Sequence, residues 1–152
     1  MLWLDHERLA TAREELREAR EMLTLALMQQ PVASERIRGV TAAARLGDLR
    51  AEVAAALVDA LLHDPNVNVR LACVRTLAPF NHRPEIRAGI AEALLRERSP
   101  LVTMALIAFV AESKDSSAVE ELRILSRDAS QDSDVREAAT QGLEQLLKRG
   151  QL

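Results

Sequence analysis

The amino-acid sequence predicts an all-α fold, a right-handed α-solenoid of about three to four stacked helix pairs behind one long N-terminal helix. Composition points to it first. Hydrophobic residues make up 48% of the chain but aromatics only 2%, so the core must be built from Leu, Ala and Val, which lets helices approach closely. No Val/Ile/Thr-rich alternating run is available to make a strand. The third observation is self-similarity at a fixed interval, developed below. A chain of 152 residues can bury roughly 68–70% of its unfolded surface, so neither metal nor disulfide is required for stability.

The first element is a heptad helix. Leucines recur every seven residues at Leu2, Leu9, Leu16 and Leu23, and Ala12, Ala19 and Ala26 follow the last three at a spacing of three. This is an a/d seam of Leu and Ala flanked by mixed charges such as Glu14, Arg17 and Glu18. The seam has two readings: a coiled coil that makes a homodimer through residues 1–30, or a first helix that lies on its own solenoid. Pro31 disfavours helix in the residue before it, so the helix ends near Gln29 and Gln30. Residues 1–30 are thus the N-terminal helix and 31–152 the solenoid.

The solenoid begins with a degenerate unit, where Ile37, Val40, Ala43, Ala44 and Leu46 form an apolar face and Gly47 stops the helix. Three units in register follow. Val69, Val102 and Val135 are 33 residues apart, and the same interval relates Cys73, Leu106 and Ala139, and then Leu77, Val110 and Leu143. Each unit carries an earlier helix, seen in Val53, Leu57, Leu61 and Leu62, then in Ile86, Ile90, Leu94 and Leu95, then in Val119, Leu122 and Leu125. Asp64-Pro65-Asn66, Ser99-Pro100 and Ser130 to Ser133 separate the helices of each pair, where Pro and short polar side chains stop one helix and cap the next. Pro79 to Pro84 and Ser113 to Ser117 separate the pairs. The third unit departs from strict phase in its first helix and has a longer turn.

Leu61-Leu62, Asp64-Pro65, Val69-Arg70, Ala72 and Leu77, echoed by Asp134-Val135-Arg136 with Ala138 and Ala139, resemble a HEAT repeat. The resemblance implies that Asp64, Arg70, Asp134 and Arg136 are ladder residues that pair between neighbouring repeats. Thr103 stands where the middle unit would need the arginine, so the ladder is expected to break there. A narrower resemblance spans nearly the whole chain. The charged Leu/Ala helix, Gln29 to Arg36 and the block Asp64 to Arg70 are similar to the C-terminal soluble region of bacterial anti-sigma-type zinc-finger membrane proteins. It implies a regulatory role and a membrane tether upstream of residue 1, although neither zinc-finger cysteines nor a span occur in this sequence.

The chemistry of catalysis is missing from the pattern. The histidines His6, His63 and His82 fall on different elements, the single Cys73 cannot supply a zinc site, and no phosphate loop or nucleophile elbow is present. No cofactor is expected. Twenty basic and 23 acidic residues are interspersed with a net charge of −3, and the aromatics are Trp3, Phe80 and Phe109 alone, so a nucleic-acid partner is not expected. The apolar start, Met1 to Leu4, is too short for a signal peptide or span, and the chain as written reads as cytoplasmic; as a fragment it would be the extracytoplasmic domain of a single-span protein.

The expected function is therefore a scaffold that binds a protein partner on the concave face formed by the second helices. Arg38, Arg45, Arg75, Thr76, Thr103, Glu137 and Gln141 are the candidate contacts. Two alternatives belong to other classes: a nucleic-acid-binding domain of the same architecture, and a lyase or other enzyme subunit built on such repeats.

Overall fold

A computed structural model describes residues 1–113 and 116–150. Eight α-helices follow one another among these residues: α1 (Leu2–Met28), α2 (Ala33–Ala44), α3 (Ala51–His63), α4 (Val67–Leu77), α5 (Pro84–Arg96), α6 (Pro100–Glu112), α7 (Val119–Arg127) and α8 (Ser133–Arg149). Short 3₁₀ turns occupy Ala78–Phe80 and Ser116–Ala118, and no described residue is in a strand. Of the expected turn at 113–117, Lys114 and Asp115 lie outside the described residues.

The helices form two layers. α2 packs on α4, α4 on α6 and α6 on α8, while α1, α3, α5 and α7 line up alongside. The architecture is the predicted α-solenoid with a long first helix. Its core follows the 33-residue interval: Val69, Val102 and Val135 are no more than 1% exposed, and Cys73, Leu106 and Ala139 are fully buried. From α2 to α4 the interval is 34, because Gly39, Val40 and Ala43 are buried where Cys73, Val74 and Leu77 are buried one repeat later.

Turn chemistry explains the boundaries. The Asn66 side chain accepts hydrogen bonds from the amides of Asn68 (2.9 Å) and Val69 (3.3 Å) and so caps α4. Asp132 caps α8 by accepting from the Asp134 amide at 2.9 Å. Pro84 and Pro100 start α5 and α6 at positions where a missing N–H costs nothing. Gly47, just beyond α2, has a φ of 80°, which an L side chain adopts only with strain.

α1 docks by a face other than its heptad seam. Glu21 and Thr24 are buried, Arg17, Leu25 and Met28 are half-buried, and the seam residues Leu9, Ala12, Leu16, Ala19, Leu23 and Ala26 are all exposed. The first helix therefore lies on its own solenoid, but by a side other than the Leu/Ala seam. Polar contacts hold the docked face. Arg50, at the start of α3, pairs with Glu14 and with Glu21 (3.1 Å), and Arg17 bridges Glu21 (3.3 Å) and Asp48 (3.2 Å). Gly39 makes the crossing possible, since a Cβ there would sit 2.7 Å from the Met28 amide nitrogen and 2.9 Å from Leu27 Cβ. α2 runs back from the hairpin for 12 residues, so residues 1–16 of α1 extend past it and are exposed, with Glu14 still reaching Arg50.

Candidate partner-binding face

Half-buried ion pairs tie α2 and α4 each to the turn of the next unit. Arg36 of α2 holds Asp64 with two hydrogen bonds, Nε to Oδ2 at 2.7 Å and Nη2 to Oδ1 at 3.0 Å. One repeat later Arg70 of α4 holds Glu97 in the same way, at 2.8 and 2.9 Å. The Arg70 Nη1 also donates to the Asp64 carbonyl at 2.8 Å, which ties two turns together.

These two pairs are rungs between neighbouring units. Asp64 and Arg70 each pair across units, Asp64 with Arg36 and Arg70 with Glu97. Asp134 is exposed in the first turn of α8, and Arg136 donates to the Gln131 carbonyl of its own turn (2.6 Å), so neither forms a rung among the described residues. Arg36 and Glu97 complete the rungs instead. Glu97 stands 33 residues after Asp64 and Arg36 stands 34 before Arg70, so carrying the interval one step each way would have found both. The expected break at Thr103 is present, for its hydroxyl donates to the Ser99 carbonyl within its own helix (3.0 Å).

Electrostatics follow the geometry. Burial alone would push the Glu97 carboxyl up, but hydrogen bonds from Arg70 and from the Ser99 and Arg98 amides together bring it below its ordinary value. The Arg36 and Arg70 guanidinium groups are raised above theirs, chiefly by the hydrogen bonds to Asp64 and Glu97. Cys73, behind this face, is pushed up to about 12, first by burial and then by the charge of Asp64.

With the layer fixed, its open side can be read column by column. Equivalent positions Thr41, Arg75, Ala108 and Gln141 are all exposed, as are Ser34, Asn68, Leu101 and Asp134. Ala72, Ala105 and Ala138 are half-buried between these columns and make a floor of small side chains. The charge changes along the layer. Arg38, Arg45 and Arg75 make the α2 and α4 end basic, with Arg38 also paired to Glu35 at 3.0 Å. On α6, Leu101 is 55% and Met104 39% exposed. Exposed Asp134, Glu137 and Glu144 outnumber Lys148 on the same side of α8 and leave that end acidic.

Five of the seven candidate contacts, Arg38, Arg45, Arg75, Glu137 and Gln141, are on this open side. Thr76 and Thr103 are not. Both are buried, the first donating to the Val40 carbonyl (3.5 Å) and the second to its own helix. The sequence reading passed over Leu101, Met104 and Ala108, because it sought polar residues where this face is apolar.

Among the described residues no group of three or more His, Cys, Asp or Glu side chains is placed to hold a metal ion. No helix among them is long and apolar enough to cross a membrane. The Asp64–Arg70 corner borders a shallow polar cleft shared with Arg96 and Glu97, which the rungs themselves fill with charge. In comparisons with known proteins, residues 54–144 match a family model described as HEAT repeats. No curated protein matches the chain.

Proposed function

The chain belongs to the HEAT-repeat family, whose matched segment covers more than half of its 152 residues, and on that footing we propose that it is a non-catalytic interaction module that binds a protein segment along the second-helix layer. Stacked helical repeats commonly serve as scaffolds because they present one long continuous surface. The graded strip carries the reading: a basic end at α2 and α4, exposed Leu101 and Met104 on α6, and an acidic end at α8. A segment complementary to it has an acidic end, an apolar centre and a basic end, in that order. Apolar contacts at the centre supply affinity, while the charges set direction. The regulatory character of the module and a tether upstream of residue 1 rest on the resemblance of Gln29 to Arg36 and Asp64 to Arg70 to anti-sigma-type proteins.

Affinity capture from the source cells tests the reading with three baits: wild type, Arg75→Glu and Met104→Glu. All three should melt at the same temperature, because both side chains are exposed. A protein held by wild type and lost from both variants supports the proposal. Equal retention by all three baits overturns it, and so does recovery of nucleic acid whose binding falls steeply with salt.

A further inference from the structure

The function proposed above makes no use of α1, whose Leu/Ala seam is exposed among the described residues. Leu9 is 49%, Leu16 51% and Leu23 61% exposed, on the side of α1 turned away from Arg17, Glu21, Thr24 and Met28. A helix that merely lay on a globular core would drift from a strict seven-residue repeat, since 3.6 residues make a turn. Here the repeat is kept from Leu2 to Leu23 without a slip. Such a seam calls for a second helix with the same repeat.

We propose that α1 pairs antiparallel with α1 of a second copy of this chain. The direction comes from side-chain volume. In a parallel pair leucine would meet leucine and alanine would meet alanine, giving alternately wide and narrow layers. In an antiparallel pair every a position meets a d position, so each layer holds one large and one small side chain and the helices approach evenly. The register comes from Asp5, the d position that breaks the alanine series. Setting Leu9, Leu16 and Leu23 opposite Ala26, Ala19 and Ala12 of the second copy uses every alanine and leaves Asp5 outside the seam.

This register overlaps residues 7–28 of the two helices, about 33 Å. With four of each seven positions along the seam, the pair buries on the order of 1,000 Å² in total, which reaches the size of a specific interface. It also gives each overhanging N-terminal half a support, because it lies on the docked C-terminal half of the other copy. The cost is a like-charge approach made twice by the two-fold, Arg13 towards Arg20 of the second copy and the reverse, so added salt should tighten the dimer rather than loosen it.

Sedimentation of the full chain over a concentration series tests the pairing, with Leu16→Glu as the variant. The expected result is a dimer for wild type and a monomer for the variant, with equal helix content by circular dichroism, since Leu16 is an exposed position of α1. A wild-type monomer throughout the series overturns the proposal, as does a dimer that Leu16→Glu leaves intact. Direction is read by oxidative cross-linking, which the buried Cys73 does not disturb. Ala12→Cys with Leu23→Cys should form a covalent dimer, and Ala12→Cys alone should not, because its two copies would lie about 16 Å apart. Efficient cross-linking of the single variant overturns the antiparallel arrangement.

Discussion

At the scale of single residues, burial decides which groups can act. Cys73 is fully buried and its thiol is pushed up to about 12, so it stays protonated at neutral pH and has no route to a reagent. A maleimide should label it only on unfolding, and labelling of the native chain at its unfolded rate would contradict the packing of α4. Glycine offers a paired test. A Cβ at Gly142 finds neighbours no closer than 3.4 Å, whereas at Gly39 it meets backbone of α1 at 2.7 Å. Gly142→Ala should therefore stabilise by about 0.5–1 kcal/mol through the unfolded chain, and Gly39→Ala should destabilise by roughly 1–3 kcal/mol. Urea midpoints read both. Thr76 and Thr103 show why polar residues mislead at this scale. A hydroxyl can satisfy itself on a carbonyl of its own helix, as Thr103 does on Ser99, and then pass into a core that sequence polarity would deny it.

At the scale of elements, apolar periodicity and turn residues made most of the fold legible. The 33-residue columns mark the second helices, and Pro31, Asn66, Pro84 and Pro100 mark helix limits in both layers, because backbone sterics and capping act locally. What could not be read was which side of α1 docks. Its docked side mixes Arg17, Glu21 and Thr24 with Leu25 and Met28, is held by Arg50 from a distant turn, and no local pattern marks so polar a side as the inner one. The open apolar strip on α6 was hidden for the opposite reason: Leu101 and Met104 look like core residues until the packing of α4 and α8 leaves them outside. Capping gives an element-level prediction. Asn66→Ala removes the acceptor of two amides at the start of α4 and should cost about 1 kcal/mol, or about 2–4 °C in Tm for a chain of this size.

At the scale of the whole molecule, stability in a solenoid is a sum over units and the junctions between them. The junctions here are unequal. Arg36–Asp64 joins the first pair of helices to the second and Arg70–Glu97 joins the second to the third, whereas the junction of the third with α7 and α8 has no such rung among the described residues. That last junction rests on the packing of α6 against α8 and of α5 against α7, with a hydrogen bond from Arg149 to the Ala111 carbonyl (3.1 Å) in place of an ion pair, so α7 and α8 should open first. Hydrogen exchange at neutral pH is expected to show lower protection for their amides than for those of α3 to α6. Acid should then narrow the difference. The Glu97 carboxyl titrates below its ordinary value of 4.5 when folded, so its contribution is complete above that pH and is lost as pH falls through the lower, folded value. Glu97→Ala should mimic the acid effect at neutral pH by stripping Arg70 of its partner, at a cost of roughly 1–3 kcal/mol, and should bring the exchange of α5 and α6 towards that of α7 and α8. Uniform protection across all pairs at neutral pH would mean that the rungs add nothing to what the 33-residue apolar columns already provide.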